Sequence, residues 1–284
     1  MRSIFLTLSA AVCCSLLAAA EDGPANYSLW PRRPAELEQA RRLMSEGKKS
    51  EAAYLLRPYW TAPGIVGREA RQLTSLINVP RYLSRQHPRA YLYTIKRGDS
   101  LPRIARNTKC LQELLMLLNG LVEPSRLMAG QKLVAVPVTQ RVEIHLAHRE
   151  VSVWDGDILV ADYVIEEVNG VKIAGQNEVT TLKSCDSYVD GARVRSVGSG
   201  LAATDRALVL ASGCVLSAGE GGRAVLRMNQ RDLNEMALLL APGAEVCLVR
   251  DEEAYARERQ AARESAASAQ GADEAVEVEE EPAS

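Results

Sequence analysis

The residues of this chain best suited to covalent chemistry are its cysteines, because a thiolate can attack an acyl carbon and form a thioester. Four of the six cysteines lie beyond the apolar N-terminal stretch: Cys110, Cys185, Cys214 and Cys247. A cysteine stays mostly a neutral thiol at neutral pH unless a base or a cation lies beside it. The chain has three histidines and no Cys-x-x-Cys or His-rich spacing that indicates a metal. We therefore predict neither a metal site nor another cofactor.

A second set of candidate residues lies in the segment Tyr93–Pro137, which contains Gly-Asp-Ser-Leu, Leu-Asn-Gly-Leu and Gly-Gln-Lys-Leu in that order. This order predicts a compact β-α-α-β unit. Asp99 or Ser100 is expected to cap its first helix, and Asn119-Gly120 is expected to end its second helix in a left-handed conformation. The two strands and the second helix are predicted at Tyr93–Lys96, Lys132–Val136 and Leu111–Leu118.

These phrases and their order resemble a LysM domain, predicted here over residues 92–138. The family binds N-acetylglucosamine-containing glycans such as peptidoglycan. The resemblance implies a shallow groove between two loops, residues 98–102 and 121–128. The residues that it assigns to glycan binding are Gly98, Asp99, Ser100, Leu101, Pro124, Leu127 and Met128.

One position departs from the family pattern, because Pro102 stands where many relatives carry Trp or another bulky residue. A second interpretation of the unit also stays open. Leu101 then belongs only to the hydrophobic core, Gly98 only to a turn, and the domain packs against its neighbours without binding sugar. Fold alone does not establish function.

The region 142–250 is predicted to be a mainly-β, sandwich-like domain. Val142, Ile144 and Leu146 alternate with polar residues, which indicates a half-buried strand. Asp155-Gly156 favours a tight hairpin turn between two apolar runs. Two further strands and one helix are predicted at Ala207–Leu210, Glu245–Val249 and Gln230–Leu240.

This domain resembles the L,D-transpeptidase catalytic domain, which cross-links peptidoglycan stem peptides through a cysteine acyl-enzyme. The resemblance rests on Val142–Tyr163, Tyr188–Gly191, Ala207–Leu210, Val225–Leu233 and Ala241–Val246. The family's Ser-His-Gly-Cys motif falls on Gly222, Arg223, Ala224 and Val225. The nucleophile position is therefore a valine, and the family's upstream histidine falls near Ala211 or Ser212. We predict that the domain is not an enzyme.

Three alternatives stay open for this domain. Ser212-Gly213-Cys214-Val215 allows a rival alignment in which Cys214 is the nucleophile, although it supplies no histidine. Cys185 and Cys214 form the first candidate disulfide, whereas all four cysteines also fit as small buried apolar residues. Arg227 is either retained from a stem-peptide site or paired with Asp232. His145 and His148 are expected to be exposed strand and loop residues.

The N-terminal residues 1–20 are predicted to be a secretory signal peptide, cleaved near Ala20. Arg2 provides the positive start and Ile4–Ala19 the apolar run, which is too short for a confident membrane span. No transmembrane span is predicted in the mature chain. Cys13 and Cys14 leave a lipoprotein as a less favoured alternative.

Residues 30–80 are predicted to be helical, with a tetratricopeptide-like hairpin over 34–60 that could recruit a protein partner. A third helix is predicted near Val66–Ile77, ended by Pro80, because proline disfavours helix at the residue before it. One such unit cannot form a stable array alone, so we predict a small helical docking element.

The charge of the chain is unevenly distributed. The net charge is −2, and residues 251–284 hold eleven Asp or Glu and three Arg, which leaves a mildly basic body. A basic body suits an anionic wall polymer, and although nucleic acid would also suit it, none is predicted. The tail 251–284 is predicted to be helical to about residue 270 and disordered from Gly271.

The sequence as a whole predicts a multidomain α+β protein that is exported to a periplasmic or other cell-envelope location. Its predicted function is peptidoglycan binding, with a transpeptidase-like domain that serves as a non-catalytic cell-wall adaptor. Two alternatives are an active cysteine L,D-transpeptidase that uses Cys214, and a structural scaffold without glycan affinity.

Overall fold

The computed structural model describes residues 34–123, 127–173, 175–189, 192–194, 205–219 and 223–277. These residues form a mixed α+β protein. The predicted signal peptide lies outside the described residues, and so do Pro124, Asp190, Gly191 and Gly222. Within the described residues, no helix has both the length and the apolar character needed to cross a membrane.

The N-terminal region is a three-helix unit. Helices α1 (Ala35–Ser45) and α2 (Lys49–Leu56) form the predicted hairpin, and a short 3₁₀ turn (Arg57–Tyr59) leads to α3 (Gly64–Tyr82). The hairpin reverses at Gly47, whose positive φ of 79° suits glycine. Apolar residues spaced along the three helices form a small core: Leu37, Ala40, Ala52, Leu56, Ala70 and Ile77.

Helix α3 is longer than predicted, because it continues through Pro80 to Tyr82. Pro80 lies in the last turn, where it removes one N–H that would otherwise donate a backbone hydrogen bond within the helix. Tertiary contacts offset that loss. Tyr82 is buried in the core of the C-terminal domain and donates a hydrogen bond to Asp155 (3.0 Å), and the Asn78 amide donates to the carbonyl of Leu159 (2.6 Å). The expectation that Pro80 ends the helix is therefore wrong.

The second unit has the predicted β-α-α-β order: β1 (Tyr91–Thr94), α4 (Leu101–Thr108), α5 (Gln112–Asn119) and β2 (Lys132–Ala135). The two strands pair antiparallel, with Leu92 opposite Val134. Strand β1 begins two residues before the predicted Tyr93, and α5 is shifted by one residue from the predicted range. Helix α5 ends at Gly120, whose φ of 60° is left-handed, as the Asn-Gly phrase predicts.

The C-terminal domain contains nine described strands. They are β3 (Arg141–His145), β4 (Glu150–Asp155), β5 (Ile158–Asn169), β6 (Asn177–Val189), β7 (Ala192–Val194), β8 (Asp205–Leu210), β9 (Val215–Ser217), β10 (Val225–Met228) and β11 (Glu245–Val249). Two helices follow the later strands, α6 (Gln230–Leu239) and α7 (Glu252–Glu277).

The described strands form one closed sheet rather than the predicted sandwich. The order is β11-β3-β4-β5-β10-β9-β8-β6, and β6 pairs again with β11, so eight strands close a barrel-like sheet with β7 attached to β6. Closure depends on the two longest strands. The first part of β6 pairs with β11 and the second part with β8, while β5 passes from β4 to β10 in the same way. Such corner strands join two half-sheets and leave fewer open edges.

Apolar side chains from alternate strand positions fill the interior of the barrel, where helix α6 packs against them. Val151 and Val153 of β4 point inward, as do Leu233 and Met236 of α6. Asn229 caps α6 by accepting a hydrogen bond from the backbone N–H of Arg231 (2.8 Å). Leu, Val and Met fill this core, and the single phenylalanine of the chain, Phe5, lies outside the described residues.

Helix α7 is also longer than predicted. It begins after Asp251, whose carboxylate accepts from the N–H of Ala254 (3.0 Å), and it runs to Glu277. The expectation of disorder from Gly271 is therefore wrong up to that residue.

Candidate functional site

Two loops of the β-α-α-β unit lie side by side because strand pairing continues past β1 and β2. The N–H of Ile95 donates to the carbonyl of Gln131 (2.9 Å), and the N–H of Gly130 donates to the carbonyl of Ile95 (2.8 Å). The loop after Ile95 therefore starts where the loop before Gln131 ends. The structure brings together the two segments that the sequence assigned to one groove.

Asp99 fixes the shape of the first loop. Its carboxylate accepts hydrogen bonds from the backbone N–H of Lys96 (2.8 Å) and from the hydroxyl of Tyr93 (2.9 Å). The first of these bonds, with smaller contributions from Tyr93 and the Arg103 charge, lowers the pKa of Asp99. The carboxylate of Asp99 thus stabilises the turn that follows β1. The carbonyl of Gly98 accepts from Arg103 (3.1 Å), and the φ of 83° at Gly98 requires a residue without Cβ.

The remaining candidate residues differ in exposure. Leu101 is 1% exposed and packs in the core of the unit, so only its backbone can reach a ligand. Leu127 packs partly against the same core. Ser100 is exposed, and Met128 is 70% exposed. Pro124 lies outside the described residues.

Val122 is a candidate that the sequence reasoning did not single out. It is 65% exposed in the second loop. In the chain it comes before residues 124–126, which the structure does not describe, and Met128 comes after them. A single exposed apolar side chain is common on protein surfaces, so Val122 is a candidate only together with the exposed Met128 of the same loop. In the sequence, a valine between a glycine that ends a helix and a proline indicates only weakly that its side chain is exposed in a loop.

Asn119 holds the second loop in place from the helix side. Its amide donates to the carbonyls of Leu115 and Val134 (both 2.8 Å), and its side-chain oxygen accepts from the N–H of Val134 (2.8 Å). The side chain therefore pairs with β2 as another strand would. This is the physical reason for the asparagine in the Leu-Asn-Gly-Leu phrase.

The cysteines of the C-terminal domain lie in surroundings that suppress thiolate formation. Cys214 is 3% exposed between β8 and β9, and burial raises the pKa of its thiol to about 11. Burial likewise raises the pKa of Cys185 to about 12. All four described cysteines are free, so the candidate disulfide between Cys185 and Cys214 is not formed.

The position assigned to the family's nucleophile is Val225, a buried residue at the start of β10. Two residues further along β10, Arg227 pairs with Glu167 (3.0 Å) and approaches Glu166 (3.8 Å) on β5. The alternative in which Arg227 pairs with Asp232 of α6 is therefore wrong, because its carboxylate partners lie on the paired strand β5.

None of the three histidines contacts Cys214 or Val225 among the described residues. His87 packs edge-on against Tyr82 (4.5 Å between ring centroids), and burial, followed by the charge of Arg89, lowers its pKa to about 4. His148 is exposed, as expected. His145 was expected to be exposed, but it is largely buried because Glu252 of α7 covers it, with 2.9 Å between Nδ1 and the carboxylate.

Comparison with known families identifies the β-α-α-β unit. Residues 93–135 match the LysM domain model. LysM domains generally bind peptidoglycan and other N-acetylglucosamine glycans, which indicates a glycan partner for this chain. No curated protein matches the chain. The LysM match ends before β3, so the likeness of the barrel to L,D-transpeptidases stays a prediction.

Proposed function

We propose that this chain is an exported peptidoglycan-binding protein in which the LysM domain holds the glycan and the barrel acts as a non-catalytic adaptor. The observation that carries the proposal is the LysM domain at residues 93–135, with its two loops adjacent and its apolar residues Val122 and Met128 exposed. Backbone groups and exposed apolar side chains in a shallow groove suit N-acetyl groups and the flat faces of sugar rings.

Buried cysteines support the non-catalytic part of the proposal. An acyl-transfer enzyme needs a thiolate, a base and oxyanion donors in one cleft. Cys214 is buried with a raised pKa, and Val225 carries no nucleophile. No described histidine contacts either residue.

Contacts between the LysM domain and the barrel support the role of an adaptor. Glu113 of α5 accepts two hydrogen bonds from Arg206 of β8 (2.8 and 3.1 Å), and Arg206 also donates to Ser187 (2.8 Å). The Arg206 side chain is 4% exposed and that of Glu113 is 22% exposed, so the pair is partly shielded from solvent. Glycan held by the LysM domain is thereby held at a fixed place relative to the barrel.

Sedimentation with purified peptidoglycan sacculi tests the binding. We expect the full chain to sediment with sacculi and to return to the supernatant when soluble chitooligosaccharides are added, because both ligands compete for one groove. Protein that stays in the supernatant without competitor, or sedimentation that chitooligosaccharides leave unchanged, would contradict the proposal.

Acylation by a carbapenem tests the absence of catalysis. We expect intact-mass spectrometry of the native chain to show no adduct after incubation, since the buried thiols stay protonated. Alkylation of the same sample with iodoacetamide in denaturant serves as the control that the thiols react once exposed. An adduct on the native chain that disappears in Cys214→Ala would support the active transpeptidase instead.

A further inference from the structure

A cavity of about 560 Å³ lies on the outer face of the barrel, away from the LysM loops. Its floor is formed by strands β3 and β4, one wall by residues 60–71 before and within α3, and the other wall by the first turns of α7. Ligand pockets in proteins have volumes of this order. Because three segments far apart in sequence enclose it, the cavity is a product of the tertiary fold.

The floor and the α3 wall are joined by buried ion pairs. Arg68 and Arg71 of α3 both donate to the carboxylate of Glu150, whose side chain is 4% exposed. Arg71 also donates to the carbonyl of Trp60 (3.0 Å) and lies 3.3 Å from Asp162. These contacts hold the α3 wall firmly against the strands.

The α7 wall is fixed by a second set of charged groups. Burial disfavours the charged form of His145, but hydrogen bonds to Glu143 and Glu252 outweigh it and raise its pKa to about 9. His145 is therefore a cation at neutral pH. Arg259 of α7 lies 3.8 Å from Glu143, and the ring of Tyr255 lies against the ring of His145 (5.9 Å between centroids).

The charges that line the cavity balance one another. Four cationic and four anionic groups line it at neutral pH: Arg68, Arg71, His145 and Arg259, and Glu143, Glu150, Glu252 and Glu253. A balanced lining does not favour a ligand with a large net charge, such as a phosphate ester. It offers donors and acceptors side by side, which suits a neutral ligand rich in hydroxyl groups.

Aromatic side chains also line the cavity. Trp60 and Trp154 meet edge to face (6.1 Å between centroids), and Tyr255 lies on the α7 side. The indole N–H of Trp60 donates to Thr74 (2.8 Å). The indole N–H of Trp154 has no acceptor among the described residues, although the side chain is only 5% exposed. Because this nitrogen is itself shielded from the cavity, the two indoles offer apolar surface to a ligand.

We propose that this cavity is a second carbohydrate site that binds one neutral sugar ring and is separate from the LysM groove. The hydroxyl groups of the sugar would meet the neighbouring carboxylates and guanidinium groups. The apolar faces of the ring would contact the indole and phenol rings. The two sites together would let the chain contact a glycan at two places.

Tryptophan fluorescence of the full chain tests this inference without interference from the LysM domain. The chain has three tryptophans, Trp30, Trp60 and Trp154, and the last two line the cavity, whereas residues 93–135 contain none. In a Trp30→Phe background, we expect N-acetylglucosamine and glucose to produce a saturable change in emission. Glucose 6-phosphate is expected to bind at least about tenfold more weakly, because the balanced lining provides no surplus positive charge.

Two substitutions on α7 localise the binding. Ala256 lines the cavity, and Ala261 is exposed on the same helix without lining it. Ala256→Phe should abolish the fluorescence change by filling the cavity, and Ala261→Phe should preserve it.

The outcomes separate this inference from the proposed function. No saturable change with either neutral sugar, tighter binding of the phosphate ester, or a change that survives Ala256→Phe would overturn the second site. Ala256→Phe fills this cavity and leaves the LysM loops unchanged, so sedimentation of this variant with sacculi tests the LysM loops alone, and either proposal can fail while the other stands.

Discussion

At the scale of single residues, buried polar side chains explain phrases of the sequence that hydrophobic periodicity does not. Asn119 pairs with the backbone of β2, and Asp99 closes the first loop. The expectation that Asp99 or Ser100 caps α4 was wrong, because Ser100 makes no side-chain cap hydrogen bond and Asp99 accepts from residues before the helix. The partners of Asn119 and Asp99 could not be predicted, because Val134 and Tyr93 become neighbours only after the strands pair. The exposure of Val122 was likewise not predictable from its surroundings in the sequence.

The first prediction concerns Asn119. Asn119→Ala leaves the N–H and C=O of the buried Val134 without their side-chain partner. We expect the free energy of unfolding to fall by about 2–3 kcal/mol, as is usual when buried backbone groups lose a partner. Urea denaturation measures it. Arg106→Ala, at an exposed position on α4, is the matched control and should change stability by less than about 0.5 kcal/mol.

The second prediction concerns Gly67 in the first turns of α3. A Cβ at this position would lie 1.7 Å from the carbonyl oxygen of Ala62, which is part of the cavity wall. Gly67→Ala should therefore lower the free energy of unfolding by about 2–4 kcal/mol, because the loop or the helix must move. Gly219→Ala, which meets no atom within 4 Å, is the control. Equal melting temperatures for the two variants would show that the loop does not contact α3 in this way.

At the scale of elements, local signals predicted many helices and strands but not how they join. The Asp155-Gly156 turn and the left-handed end at Gly120 are local, and they were predicted. The half-buried alternation expected for β3 was wrong, because Glu143 on its polar face is buried. The closed sheet was not predicted, because β6 reaches it only by pairing with β11 and β8, two strands distant in sequence. Tertiary packing also explains why α3 continues through Pro80, because the burial of Tyr82 outweighs the local tendency of proline to end a helix.

The third prediction concerns the docking of α7 through His145. Its pKa is about 9 in the folded chain and about 6.5 when unfolded, so the folded state binds more protons between these values. The stabilisation is fully present below about pH 6.5 and is lost as the pH rises through about 9. We expect this contribution to be about 1–3 kcal/mol.

Urea denaturation across this pH range measures the effect. Cysteines and tyrosines also begin to ionise at its upper end in the unfolded chain, while burial keeps them protonated in the folded chain. The comparison is therefore with His145→Gln, which keeps a hydrogen-bonding side chain without the charge. The loss of stability attributable to His145 is the difference between the two curves. Parallel curves from pH 6 to 9 would mean that His145 does not hold α7 by its charge.

At the scale of the whole molecule, three units that the sequence separates are joined by buried contacts. Leu83, just after α3, packs against both the barrel core and the LysM core. Arg71 of α3 reaches Glu150 of the barrel, and Arg206 of the barrel reaches Glu113 of the LysM domain. The sequence indicated the LysM fold and its loops. It could not indicate the cavity, since its walls come from three distant segments.

The fourth prediction concerns the junction between the LysM domain and the barrel. Glu113→Ala leaves the buried guanidinium of Arg206 without its carboxylate partner. Since Glu113 is partly exposed, we expect a loss of about 2 kcal/mol, below the usual range for a fully buried pair. Glu38→Ala, at an exposed position on α1, is the control. Limited proteolysis between the two units should be faster only in Glu113→Ala, and equal rates would argue against a fixed junction.

The most direct test of the central claim, that the LysM groove binds peptidoglycan, is the affinity of a groove variant for purified sacculi. Val122→Glu combined with Met128→Glu places two carboxylates on the exposed apolar side chains of the groove, where they lose apolar contact and repel the stem-peptide carboxylates. Val179→Glu combined with Val189→Glu makes the same change on exposed valines of the barrel strand β6.

Sedimentation of both variants with increasing amounts of sacculi gives the two affinities. Binding about tenfold or more weaker for the groove variant, with the barrel variant close to the unmodified chain, is the result that we predict. Equal sedimentation of the groove variant and the unmodified chain would contradict the assignment of the glycan site to these loops.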